Sequence, residues 1–153
     1  MKRTHWTIIA LLALLGTVGC KKHASVAETK TSEKPKVIGV SLLNLQHEFY
    51  QDLREGMRKG AAKYGYELKI LSADFDPAIQ ANHIRDFIVQ RVDAMIVCPC
   101  DSRTVGTSME QANKAGIPVF TADIKNASSQ GRVIAHVASD NYQGGELVAQ
   151  LMN

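Results

Sequence analysis

The sequence predicts an α/β fold: a doubly wound, mostly parallel sheet in three layers. Short apolar runs and amphipathic stretches follow one another from residue 36 in the order β, α, β, α, β, α, β, β, α. The runs are almost continuously apolar, as expected of parallel strands covered on both faces. Capping and turn residues mark several of the joints.

Val37-Ile38-Gly39-Val40-Ser41-Leu42 is the first strand. The helix after it carries Tyr50, Leu53, Met57, Ala61 and Tyr64 at steps of three and four. Asp52, Arg54, Glu55, Arg58, Lys59 and Lys63 fall mostly on its other side, a solvated face, and Gly65 supplies a left-handed stop. Tyr66 to Leu71 is the second strand. Asp76-Pro77 reads as N-cap and first helical residue of a helix whose buried stripe is Ala81, Ile84 and Ile88. Ala94 to Cys98 is the third strand. The next helix, about 104–115, uses Val105, Met109 and Ala112 and stops at Gly116, with Pro118 beyond. Val119 to Ala122 and Val133 to Val137 are strands four and five. A last helix from near Tyr142 presents Leu147, Val148 and Leu151.

The 153 residues suit one domain, and 45% hydrophobic with 22% charged residues is ordinary for a globular chain. Roughly 120 residues remain after the N-terminal region is set aside, enough for one core. The net charge is +3, with Lys2 and Arg3 supplying most of it, and aromatics are only 6%. Neither value suggests a nucleic-acid partner.

Residues 1–20 read as a signal peptide. Lys2 and Arg3 precede an apolar run from Trp6 to Leu15, and small residues lead to Cys20. The run is well short of the roughly 20 residues a membrane-spanning helix needs. Thr17-Val18-Gly19-Cys20 resembles a lipobox with Thr17 where Leu is usual, which makes Cys20 the expected lipidation site. Several acyl chains there would give a stable membrane anchor, with cleavage without lipidation as the alternative. Residues 21–35 are polar, without apolar periodicity, and read as a flexible tether whose basic start suits anionic headgroups.

Cys98 and Cys100 flank Pro99. A bridge between them is sterically awkward and further metal ligands are missing nearby, so they are expected as reduced thiols at a strand end. No phosphate-binding G-x-x-x-x-G-K-[ST] loop, G-x-G-x-x-G turn or G-x-S-x-G elbow occurs. Gly144-Gly145 suits helix-start geometry. His47, His83 and His136 are scattered; His136 is expected as a satisfied core residue and His83 as half-exposed. No enzyme, cofactor or metal is expected.

Ligands of such sheets collect beyond the carboxyl ends of the strands. That rule selects Asn44–Tyr50, Asp74–Asp76, Cys98–Ser102, Asp123–Lys125 and Ser139–Asn141. Phe49 and Tyr50 there could stack on a sugar's C–H face, or could simply pack the first helical turn. The residues alone leave both readings open.

The ordered set Val37–Leu42, Phe49-Tyr50, Gly56, Ala61–Tyr66, Val92–Val97, Ala115–Val119 and His136–Asn141 with Gly144-Gly145 resembles the periplasmic sugar-binding protein family, ribose-binding-protein-like, of type I solute-binding fold. The likeness runs collinearly from about residue 36 to the end. It implies that Phe49 and Tyr50 sandwich a sugar ring and that Asp123 accepts hydrogen bonds from its hydroxyls. His47 stands where the family has Asn or Asp, Cys98 where it has Asn, and Ile124 where it has Arg. Ile cannot replace a bidentate donor, so a less polar or differently hydroxylated ligand than ribose is implied.

The family has two lobes closing on a ligand. The resemblance maps residues 36–139 to the N-terminal lobe and 140–153 to the first helix of a second lobe. A late segment that returns to complete the first lobe would also be missing. Closure buries a ligand on both sides, so this chain is expected to bind sugar weakly or not at all. The implied role is the extracytoplasmic sugar-binding component of an ABC importer, partnered by a permease and held to the membrane by its lipid. A sugar-sensing receptor component for chemotaxis or a sensor kinase is the alternative.

Overall fold

The structure, a computed structural model, describes residues 34–152. Residues 1–20, read above as a signal peptide ending at Cys20, and nearly all of 21–35, read as a tether, lie outside those residues.

Five strands and four helices follow in order: β1 (Val37–Leu42), α1 (Glu48–Tyr64), β2 (Glu67–Ser72), α2 (Pro77–Gln90), β3 (Ala94–Val97), α3 (Val105–Lys114), β4 (Val119–Ala122), β5 (His136–Val137) and α4 (Asn141–Leu151). The strands form one sheet in the order β2-β1-β3-β4-β5, and every neighbouring pair is parallel. All strand starts therefore lie at one pole and all strand ends at the other.

The boundaries follow local chemistry. Asp76 caps α2 by accepting from the amides of Ala78 and Ile79, ahead of Pro77 at the first helical position. Gly65 ends α1 at φ 70° with its amide bonded to the last turn.

Strand alternation divides the core between two faces. Met95, Val97 and Val119 pack with Ile84 and Phe87 of α2 and Val105, Met109 and Ala112 of α3. Val40 and Leu42 pack with Leu43, Tyr50 and Cys98, backed by Leu53 and Met57 of α1. Glycine at position 39 is required by packing: a Cβ there would stand 2.6 Å from the Phe87 ring.

Several expectations are corrected. β5 is two residues long, not five: only His136 and Val137 pair as a ladder, with Thr121 and Ala122 of β4. The buried residues of α2 are Gln80, Ile84 and Phe87, so its stripe is rotated from Ala81, Ile84 and Ile88. Tyr64 closes the apolar period of α1 yet is 66% exposed. His136 is exposed, not in the core, although Nδ1 lies 2.9 Å from Thr121 Oγ1. Gly144 and Gly145 sit inside α4 rather than at its start.

Coverage of the sheet is also incomplete. On the α1 side an apolar groove of about 640 Å³ runs along the face, lined by Ile38, Leu53, Met57, Ile96, Phe120 and Val137 among others. α4 has no buried residue, and Leu147, Val148 and Leu151 are exposed.

Candidate functional site

The site forms at the pole of strand ends. Beyond β1 the buried Asn44 folds the chain back: its Oδ1 accepts from the amides of Gln46 (2.8 Å) and His47 (2.9 Å). His47 is the N-cap of α1, with Nδ1 accepting from the Phe49 amide at 3.2 Å. Gln51 Nε2 donates to the carbonyls of Leu45 and Gln46. These bonds set Phe49 and Tyr50 on the first turn of α1, with ring centroids 5.0 Å apart and planes at 86°. Tyr50 turns inward and is buried, whereas Phe49 remains 40% exposed. The two readings of this pair thus divide between the two residues: Tyr50 packs the helix start and Phe49 offers a ring to solvent.

Asp123 approaches from β4. Its backbone is left-handed (φ 63°), a conformation Asp tolerates better than most residues. Its amide donates to the Val137 carbonyl at 2.8 Å, fixing the turn to β5. The Tyr50 hydroxyl donates to Asp123 Oδ2 at 2.9 Å. Burial, reinforced by this bond to the carboxylate, drives the Tyr50 phenol well above its ordinary range. One carboxylate oxygen is thus engaged within the protein.

Cys98 lies beneath this pair, fully buried, with Sγ 4.0 Å from the Tyr50 hydroxyl and 3.8 Å from Asp123 Oδ2. Burial, then the nearby carboxylate, pushes its thiol up to about 11, so it stays protonated at neutral pH. Cys98 and Cys100 are both free thiols.

A buried amide holds this floor, and the sequence reading missed it. Gln80 of α2 donates from Nε2 to the Cys98 carbonyl and accepts at Oε1 from the Cys100 amide, both at 2.9 Å. It thereby brackets Pro99. Its Nε2 also lies 3.4 Å from Ser41 Oγ, which lies 3.1 Å from His83 Nδ1. Desolvation lowers the affinity of the half-buried His83 for a proton. A polar residue one position from an expected apolar stripe was the only signal for Gln80.

The structure brings Phe49, Tyr50, Cys98 and Asp123 together. His47 lies beside them, its ring 6.2 Å from that of Tyr50, exposed at the helix cap. Ile124 is half-buried against the cluster of Leu43, Tyr50 and Cys98, adding apolar wall rather than a polar donor. No group of three His, Cys, Asp or Glu side chains that could hold a metal occurs among the described residues.

The parallel α/β lobe thus gathers an aromatic ring, a carboxylate and an apolar floor at its strand ends. Residues 38–153 match the family model described as periplasmic binding protein domain, and the chain belongs to that family. It is similar to the ribose import binding protein of Bacillus subtilis (strain 168), 36% identical over 151 residues, covering 97% of this chain and 49% of that protein. Among solved structures it resembles an ABC transporter solute binding protein from Bacillus halodurans with bound myo-inositol: 35% identity, TM-score 0.67, 80% of this chain and 44% of that one. A Caulobacter myo-inositol binding protein superposes with TM-score 0.70 at 25% identity, over 78% of this chain and 41% of that one. The chain thus spans about half the length of the relatives it matches.

Proposed function

We propose that this chain is the N-terminal lobe of an extracytoplasmic solute-binding protein that takes a sugar or a sugar-like polyol and delivers it to the permease of an ABC importer. The observation that carries the reading is the half-exposed ring of Phe49 beside the bonded Tyr50 hydroxyl and Asp123 carboxylate. An aromatic face meets the C–H face of a sugar, and a carboxylate oxygen accepts from its hydroxyls. The relatives named above, for ribose and myo-inositol, support the same solute class.

In this reading Phe49 stacks, Asp123 accepts, and Tyr50 orients Asp123. His47, Cys98 and Ile124 shape the remaining surface, and the last two make it less polar. Residues 1–20 are a signal peptide, Cys20 carries lipid, and 21–35 tether the lobe. Residues 36–139 are the first lobe, and α4 belongs to the second.

Saturation-transfer NMR on the full chain with D-ribose, D-xylose and myo-inositol tests this. Weak, millimolar transfer that falls several-fold in Phe49→Ala is expected, since one lobe covers one side of a ligand. No transfer from any of the three, or transfer unchanged in Phe49→Ala, would remove the reading. Micromolar affinity would contradict the single-sided site.

A further inference from the structure

The pole opposite the site has a charge and aromatic character of its own. The strand starts and the ends of α1, α2 and α3 gather Lys34, Lys36, Lys63, Arg91, Lys114 and Arg132 on one surface. All six are exposed, and only Lys114 forms an ion pair, with Glu110, among the described residues. Glu67 and Asp93 are the acids there, and Asp93 Oδ2 is engaged by the Val37 amide at 2.7 Å. Tyr64 and Tyr66 stand in the same surface, 66% and 42% exposed, stacked at 6.1 Å with Lys63 Nζ 5.6 Å from the Tyr64 ring.

Compensation of helix C-termini accounts for Lys63 and Lys114. It accounts for neither Lys34, Lys36 and Arg132 nor two solvent-facing tyrosines. The rim at the other pole is of opposite sign: Glu48, Asp74, Asp76, Asp101 and Asp123 face it, against Arg103 and Lys125. The lobe is thus polarised along its strands.

We infer that the strand-start pole docks on an anionic lipid surface, with Tyr64 and Tyr66 at headgroup level. Cations draw the pole to acidic headgroups and tyrosine rings favour the interfacial zone. The acidic rim is repelled by the same surface, which gives the lobe one orientation. The described chain enters β1 from Lys34, Pro35 and Lys36 at this very pole, so a chain anchored through Cys20 would be joined to the lobe at its docking pole. That last point rests on the lipoprotein reading above. Docked in this way, Phe49 and Asp123 face away from the bilayer, open to arriving solute.

The test is hydrogen exchange of the full chain on phosphatidylcholine vesicles and on vesicles with 30% phosphatidylglycerol. Exchange at 34–37 and 62–68 should slow by roughly threefold or more on the anionic vesicles alone, and recover in high salt. The double variants Lys34→Glu/Lys36→Glu and Tyr64→Ser/Tyr66→Ser should lose the slowing. Equal exchange on both vesicles, protection at the rim instead, or no vesicle association overturns the inference. The same slowing with soluble polyphosphate and no vesicles would assign the pole to a soluble polyanion and also overturn it. The mass of the Cys20 peptide in the same digests reads the lipoprotein assignment separately.

Discussion

The hydroxyl of Tyr50 and Oδ2 of Asp123 lie 2.9 Å apart, joining the first turn of α1 to the end of β4 across 73 positions of sequence. The bond gives the site its geometry, because it holds a left-handed aspartate and a helix start in one arrangement. Removing the hydroxyl in Tyr50→Phe strips the carboxylate of a partly buried donor, a loss of about 1–2 kcal/mol. Asp123→Asn should cost a similar amount, and the double variant less than the sum. Urea unfolding of the cycle checks this, and strict additivity would mean the bond contributes nothing.

Alkaline pH should loosen the floor of the site. Burial raises the thiols of Cys98 and Cys100 from 9.0 to about 11 each. The unfolded chain gives up these protons near pH 9 and the folded chain near 11. Their contribution is therefore intact below pH 9, declines between 9 and 11, and is gone above. Cys98 alone accounts for a decline on the order of 2 kcal/mol. The decline over that interval should shrink in Cys98→Ala and shrink further in Cys98→Ala/Cys100→Ala, and a wild-type profile already flat there would refute the assignment.

Gly39→Ala tests the other face of the sheet. The added Cβ would sit 2.6 to 2.9 Å from three atoms of the Phe87 ring, which is buried and has nowhere to retreat. A loss of about 1–3 kcal/mol is expected from such overpacking. Pairing with Phe87→Leu should recover part of it, whereas an unchanged Gly39→Ala midpoint would place the ring elsewhere.

Truncations in α4 and in the core should part company. Leu147→Ala removes an exposed side chain and should stay within about 0.5 kcal/mol of wild type. Leu42→Ala empties a fully buried position and should cost about 2–5 kcal/mol. Equal costs would mean that α4 packs in solution rather than standing exposed.

The sequence disclosed what periodicity and capping encode. Asp76-Pro77 opens α2, Gly65 closes α1, and Val105, Met109 and Ala112 form the buried side of α3, as read. The rim residues Phe49, Tyr50 and Asp123 were legible because strand ends converge in a parallel sheet. Hidden from it were facts that depend on partners far along the chain. Gln80 is buried because Cys98, Cys100 and Ser41 meet its amide, which an apolar stripe cannot reveal. Phe87 is fully buried, with Gly39 leaving room for its ring, while Ile88 packs only partly buried against the same cluster. Tyr64 keeps the apolar period of α1 yet stands exposed as the helix's last residue, where periodicity continues but packing does not.

Backbone amide NMR of the full chain during a titration with D-ribose or myo-inositol bears most directly on the site. Shifts should be confined to residues 46–50, 98–101 and 123–125, saturating in the millimolar range, and should vanish in Asp123→Ala. Shifts centred on the groove of Leu53, Met57 and Phe120, or a rim left unperturbed at saturating solute, would contradict the account.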